Sequence, residues 1–258
     1  MSKNVISIIM SAYCAEATIR ESIESVIAQT YSTWELIVIN DASTDATGEI
    51  AEAFAEYDDR ICVLSNETNQ GIATSRNKGI SHASGEYLAF LDSDDIWHES
   101  KLEKQLRQMT ETNAKISFTA TAYINTAGQA SEYILEAEEK FTYKNLLRRN
   151  IMSCSSIMVR RDCMIPFPKG FMHEDYAVWL QILKNTHQAH GLNEPLLIYR
   201  LGENTKSSNR ISSAKMAYFT YRHVGFGKLA AAIFTLRYAL HSISKRSLIK
   251  RKTGRLSH

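Results

Sequence analysis

The chain has 258 residues, 44% hydrophobic and 22% charged, which is enough apolar content for a packed core and excludes wholesale disorder. The formal net charge of +2 conceals an asymmetry: all 28 acidic residues lie at or before Glu203, while 12 of the 30 basic ones follow it. An acidic body argues against a nucleic-acid-binding module, and a basic end suits phosphates or an anionic membrane.

The first half alternates apolar runs with amphipathic stretches. Val5–Ser11 is expected as a strand covered on both faces, followed by a helix over Glu16–Gln29 with Ile19, Ile23, Val26 and Ile27 on one side. A strand at Trp34–Asn40 and a helix near Thr44–Glu56, capped by Ser43 or Thr44, come next. Strands at Ile61–Ser65 and Tyr87–Leu91 alternate with helices at Ile72–Ser81 and Ser100–Thr112. This alternation predicts an α/β fold, a Rossmann-like, mainly parallel sheet with helices on both faces. Ligands of such sheets bind beyond the carboxyl ends of the strands.

Beyond residue 115 the pattern loosens: strands at Lys115–Tyr123, Ser155–Arg160 and Leu196–Arg200, and helices at Tyr143–Arg149 and Glu174–Asn185. The expected division is a nucleotide-sugar-binding half over 1–114, an acceptor-binding half of the same domain over 115–205, and a basic helical extension over 206–258. In that extension Leu229, Ile233, Leu236, Leu240 and Ile243 recur at helical spacing, and Lys245, Arg246, Lys250, Arg251, Lys252 and Arg255 follow. A basic amphipathic helix of this kind predicts attachment to an anionic membrane surface; the same stripe also fits packing on the catalytic body. The early apolar run is too short for a secretion signal, and no stretch is long enough to span a bilayer. The four cysteines form no C-x-x-C pair and are expected as buried free thiols. The resulting expectation is a cytoplasmic protein, peripheral on the inner face of the membrane.

Acidic residues fall where strands end. Asp41 follows the second strand, Asp92, Asp94 and Asp95 follow the fourth, and Glu174-Asp175 opens a later helix. A D-x-D group suits Mg²⁺ or Mn²⁺ bridging two phosphates, because these cations take one or two carboxylates and fill their shell with phosphate oxygens. Crowded carboxylates repel without a cation. Each acid also has a plainer use, Asp41 and Asp92 or Asp94 as turn or cap residues and Glu174-Asp175 as partners of a helix dipole. A sugar nucleotidyltransferase is the competing enzyme, but no Gly-rich phosphate loop lies between Ser11 and Arg20. A non-catalytic binding protein using the basic tail is the competing non-enzyme.

In order, Ser11-Ala12-Tyr13, Glu35 through Asp45, Asn69-Gln70-Gly71, Ser75-Arg76-Asn77-Lys78-Gly79, Gly85 through Asp95, Glu174-Asp175-Tyr176 with Trp179, and Tyr199-Arg200 resemble the family 2 inverting glycosyltransferases of the GT-A fold. The likeness runs from Val5 to about Ser208. It implies a nucleotide-diphosphate sugar donor, with UDP first, a glycan or lipid-linked acceptor, and a divalent metal, Mn²⁺ or Mg²⁺. It implies that Asp41 holds the base or ribose, Arg76 the base or a phosphate, and Ala12 and Tyr13 line the nucleotide. Asp92 would touch the ribose or metal, and Asp94 would bind the metal, with adjacent Asp95 as the competing ligand. Asp175 resembles the catalytic base, with Glu174 shaping the acceptor site, and Arg200 and Ser207 stand where the family closes over the diphosphate. One departure is Gln181, where the family often has Arg. Tyr13 and Trp97 are candidates for stacking or for packing, Trp179 for packing, and His173 for an acceptor-side hydrogen bond.

Overall fold

A computed structural model describes residues 4–202 and 210–253. Among these residues nine strands form one sheet. Strands β1 (Ile6–Ala12), β2 (Trp34–Asn40), β3 (Ile61–Ser65) and β4 (Tyr87–Phe90) are joined by helices α1 (Ile19–Ile27), α2 (Thr47–Tyr57) and α3 (Ile72–His82). These four strands are parallel, in the order β3-β2-β1-β4. Then follow β5 (Ile96–Trp97), α4 (Lys101–Thr112), β6 (Ile116–Ile124), β7 (Lys140–Thr142) and α5 (Tyr143–Arg148). The chain continues through β8 (Met158–Arg160), α6 (Glu174–Thr186), β9 (Gln188–Arg200), α7 (Arg210–His223) and α8 (Lys228–Thr253). The sheet continues from β4 through β8, β6 and β9 to β5, so it crosses the expected boundary at residue 115 without a break.

Alternation along β1 explains the two-faced core. Ile6, Ile8 and Met10 pack with Ile19, Ile23 and Val26 of α1 and Leu102, Leu106 and Met109 of α4. Ile9 points the other way, into a cluster holding Phe90, Phe118, Tyr176 and Trp179. Each such aliphatic side chain, taken fully out of water, stabilises the fold by about 1.5–3 kcal/mol before chain entropy is counted. Helix α3 lies close on this second face at Gly79, where a Cβ would stand 2.6 Å from Ile9 and 2.7 Å from Ile39.

The first half is parallel as expected, but the second is mixed: β8 runs antiparallel to β4 and β6, and β5 and β7 antiparallel to β9. Strand β9 is longer than the expected Leu196–Arg200 because Gly191, Asn193 and Pro195 interrupt its apolar pattern while β6 still pairs with it. The register shifts at Ala120, opposite Pro195, which has no N–H to give a ladder. The expected strand over Ser155–Arg160 is shortened to β8, since Cys154–Ser156 form a 3₁₀ turn that aims Ser155 inward. Helix α2 starts at Thr47, after the expected caps; Ser43 Oγ instead accepts the Cys14 N–H, and Asp45 Oδ1 accepts the Thr47 N–H. Of the four free cysteines only Cys154 is buried; Cys14 stands in an exposed turn and Cys62 on the edge strand β3.

Candidate active site

The parallel strands end along one edge, and the acids gather there. The Asp41 N–H donates to the Ala12 carbonyl at 2.8 Å, so the ends of β1 and β2 sit side by side. Beyond them Tyr13 is 53% exposed, an open ring rather than a packed one. Cys14 and Ala42 both adopt left-handed backbone, at φ 49° and 60°. Such conformations cost free energy in non-glycine residues and gather at ligand sites. Asp41 itself is 3% exposed. Its carboxylate accepts from Asn66 Nδ2, from the Gln70 N–H and from the Gly71 N–H at 2.8–2.9 Å, which fixes the loop leading into α3. Burial works to raise its pKa, and these hydrogen bonds outweigh burial to hold it below the ordinary carboxylate value.

The turn after β4 carries the acid cluster on a buried support. Ser155 donates to Asp95 Oδ2 at 2.6 Å and accepts the Asp92 N–H at 3.1 Å. Asp95 also accepts the Arg200 N–H at 3.2 Å and is fully buried, with its carboxyl held well above the usual range by burial and then by Asp94 and Asp92. Asp95 is therefore enclosed by its own hydrogen bonds, whereas Asp94 is partly open. Burial, and then the charge of Asp92, push the Asp94 carboxyl up to about 6. Arg200 reaches over this turn, donating from Nε to the Asp94 carbonyl at 3.1 Å and from Nη2 to Glu21 at 2.5 Å. Trp97 is 3% exposed, its Nε1–H bonded to the Ser155 carbonyl and its ring under Lys101 Nζ, so it is packing and not a sugar platform. Trp179 is likewise buried in the core.

Arg76 joins the two halves of the site. It is 3% exposed, and its guanidinium bonds Asp92 at 2.6 Å and Glu174 at 3.1 Å, with its plane over Phe167 at 5.3 Å. Burial weighs against its charge, and the facing Cys154 sulfur, Asp92, Glu174 and Asp175 outweigh it, raising its pKa. A fork that binds carboxylates on two sides sets their spacing, which a lysine cannot do. Among the described residues its partners are carboxylates, and the expected contact with a base or phosphate is not tested by them. Asp175 stands beside Glu174 at the start of α6, one oxygen accepting the Tyr176 N–H at 2.7 Å. Burial, and then the charge of Glu174, raise its pKa. A carboxyl with that elevation is a better proton acceptor than an exposed aspartate.

Sequence reasoning missed Ser155 and Glu21, because a lone serine and a helix-surface glutamate carry no pattern. It expected an acceptor-side hydrogen bond from His173, whose ring here meets Ser213 of α7 and Tyr238 of α8. Ser207 lies outside the described residues.

A metal is implied by the resemblance, and the donors fit one only in part. Among the described residues no cluster of three or more metal-ligating side chains occurs. The Asp94 carboxyl, pushed up to about 6 by burial and then by Asp92, stands in a pair of carboxylates, a donor set of the kind that suits an ion whose remaining ligands come from a diphosphate.

A parallel sheet with acids at its strand ends, and a second carboxylate pair fixed across from them by one arginine, defines a transferase-like α/β site. The family model described as "Glycosyl transferase family 2" matches residues 7–167, and the chain belongs to that family. It is 37% identical to Bacillus subtilis (strain 168) TuaG, a protein named for teichuronic acid biosynthesis, over 95% of this chain and 98% of the relative. It is 36% identical to Escherichia coli WfgD, named as a UDP-Glc:α-D-GlcNAc-diphosphoundecaprenol β-1,3-glucosyltransferase, over 95% and 96%. The Staphylococcus aureus TarS structure with UDP-GlcNAc superposes with a TM-score of 0.73 at 20% identity, covering 93% of this chain and 72% of that one. The Pyrobaculum calidifontis mannosyltransferase PcManGT, solved with GDP-Man and Mn²⁺, gives 0.68 at 16% identity, covering 95% and 72%. The fold is GT-A, and the protein is a glycosyltransferase.

Proposed function

We propose that the protein transfers a sugar, with inversion, from a UDP-linked donor to a hydroxyl of a lipid-linked glycan. The observation that carries this reading is Arg76 holding Asp92 and Glu174 in one site, because it ties a donor-side acid to the acceptor-side pair at fixed distance. Relatives named for a UDP-glucose donor and a diphosphoundecaprenol acceptor support the choice of substrates.

Asp175 takes the proton of the attacking hydroxyl; its raised pKa, with Glu174 alongside, favours that transfer. Arg76 bonds Glu174 and Asp92 at once and fixes their spacing, so the acceptor side and donor side stay in register for an in-line displacement. Tyr13 and the Ala12 end of β1 flank the nucleotide, and Asp41 shapes its pocket by fixing the Gln70-Gly71 turn. Asp94 and Asp92 would hold a divalent metal, Mn²⁺ or Mg²⁺, which when bound supplies charge neutralisation to the departing diphosphate. Arg200, with Ser207 following it in sequence, adds positive charge beside the acid turn.

The basic C-terminal end would seat the protein on an anionic membrane surface, where a lipid-linked acceptor is presented. Leu229, Ile233, Leu236 and Leu240 of α8 are 47–77% exposed, so the apolar stripe is free of the catalytic body over these positions. Among the described residues no helix is long and apolar enough to cross a membrane. Side chains of Ile243 and the basic residues beyond it lie outside the described set.

Calorimetric titration with UDP, GDP and dTDP, with and without Mn²⁺, on wild type and Asp94→Ala tests the donor reading. Metal-dependent binding of UDP, lost in the variant, is expected. Equal UDP binding with and without Mn²⁺, or in both proteins, would overturn the role given to Asp94.

A further inference from the structure

We propose that the α7–α8 hairpin is the positioning element of the Glu174–Asp175 pair and that His173 is the residue through which it acts. The proposal rests on the reading of Asp175 as base. Helix α6 begins without a side-chain cap of its own, although the carboxylates that matter sit in its first turn. The residues on either side of the pair are held instead from a segment far along the chain.

On the near side, the His173 N–H donates to Thr220 Oγ1 at 3.0 Å, and that hydroxyl is fixed on α7 by donating to the Met216 carbonyl at 3.0 Å. His173 Nε2 lies 3.1 Å from the Ser213 carbonyl. The Ser213 hydroxyl at 3.3 Å and the Tyr238 hydroxyl at 3.4 Å lie against the same nitrogen, so α7 and α8 both meet it. The imidazole also packs on Tyr238 of α8, ring centres 5.6 Å apart. On the far side, the Tyr176 and Tyr221 hydroxyls are 2.9 Å apart, and the Tyr176 ring stacks on Tyr238 at 5.9 Å. Tyr176 and Tyr221 are fully buried, so these contacts form in a dry core where misplacement is costly. Residues 173 and 176 thus bracket the pair, and Tyr238 touches both.

The consequence is geometric. The backbone of α6 is pinned by α7 and α8 at His173 and Tyr176, while Arg76 pins Glu174. Asp175 has no such ion pair of its own among the described residues, so its direction depends on where the first turn of α6 is set. A shift of about 1 Å in a catalytic group costs on the order of 100-fold in rate.

Transfer from UDP-glucose to an α-linked N-acetylglucosamine diphospholipid is the assay, with UDP affinity measured separately by calorimetry. His173→Ala is expected to lower kcat roughly 10- to 100-fold with donor KM and UDP affinity within about twofold of wild type. His173→Gln, which keeps a hydrogen-bonding group at the same reach, is expected to recover most of kcat. Thr220→Val, which removes the acceptor for the His173 N–H, gives a smaller fall in kcat, again with KM unchanged. Should His173→Ala fail to fold, the Gln and Val variants carry the test at unchanged Tm. Hydrogen–deuterium exchange of the peptide over residues 171–180 is expected to quicken in the Ala and Val variants.

A wild-type kcat in His173→Ala and Thr220→Val, with Asp175→Asn inactive, would overturn the positioning role and leave the base standing. Loss of kcat in step with Tm, recovered on cooling, would also overturn it, since that is the signature of mere support. Full activity in Asp175→Asn would overturn both readings together.

Discussion

The two acidic regions of the site are built in opposite ways. The Asp92–Asp95 turn is fixed by what the sheet brings to it: β4 delivers it, Ser155 bonds its backbone and its buried Asp95, and the Arg200 N–H at the end of β9 closes the far side. The Glu174–Asp175 pair stands at an uncapped helix start, held by Arg76 from one side and by α7 and α8 from the other. The first arrangement stores charge in a rigid cradle that suits an ion and a diphosphate. The second sets its carboxylates through helix packing, which suits a proton acceptor whose partner hydroxyl must be matched in position. Arg76 is the only side chain in the described structure that is ion-paired to both regions.

The largest expected effect separates the chemical roles of the two regions. Asp175→Asn removes the proton acceptor at constant shape, and transfer should fall about 100- to 10,000-fold while UDP affinity is nearly unchanged. Steady-state kinetics beside calorimetry checks this; a matching loss of UDP affinity would mean that the pair serves the donor side instead.

The next test cuts the link between them. Arg76→Met strips two part-buried carboxylates of their shared partner and should cost about 1–3 kcal/mol of stability, read by urea unfolding. Arg76→Lys should recover only part, because one ammonium cannot bond both carboxylates in the fork geometry. An unchanged unfolding midpoint in Arg76→Met would show that the regions are held independently.

A pH series sharpens the donor side. Asp41 has its pKa below the ordinary 3.8, since bonds from Gln70, Asn66, Gly71 and Ser75 outweigh burial. The stability it adds is fully present above that ordinary value and is lost as pH falls through the lower folded value. Asp41→Asn should therefore be less stable than wild type by about 1–3 kcal/mol at neutral pH. That gap should close in acid below the ordinary carboxylate range. A gap independent of pH would mean that shape, not charge, fixes the Gln70-Gly71 turn.

The smallest expected effect on the site comes from the outer face of α8. Leu236→Glu with Leu240→Glu should weaken binding to anionic vesicles by roughly tenfold or more in a flotation assay, since each leucine loses its transfer energy. Both positions are more than 60% exposed, so Tm should hold. Undiminished flotation would assign the membrane contact to the basic end alone.

Much of this molecule is written locally. The strands β2 and β3 fall on the expected residues, and α3 and α4 within one residue of expectation, because each is a run of apolar side chains at a fixed period bounded by polar turns. The same local pattern brings Asp41 and Asp92 to the carboxyl ends of parallel strands, so the location of a ligand edge was legible from order alone. Strand β5, with two residues, and the part of β9 before Leu196 were not legible, since their pairing is set by neighbours across the sheet.

What the sequence by itself determined was the family, the sheet edge and the identity of the acids, all consequences of short-range periodicity and motif spacing. Only the tertiary structure decided that Asp95 is fully buried while Asp94 is partly exposed, that Arg76 is ion-paired to Asp92 and Glu174, and that His173 contacts the C-terminal hairpin. Those assignments depend on which groups meet after the chain folds back over intervals of 16, 98 and 40 residues. Burial and charge pairing at such separations are properties of packing, and no local pattern records them.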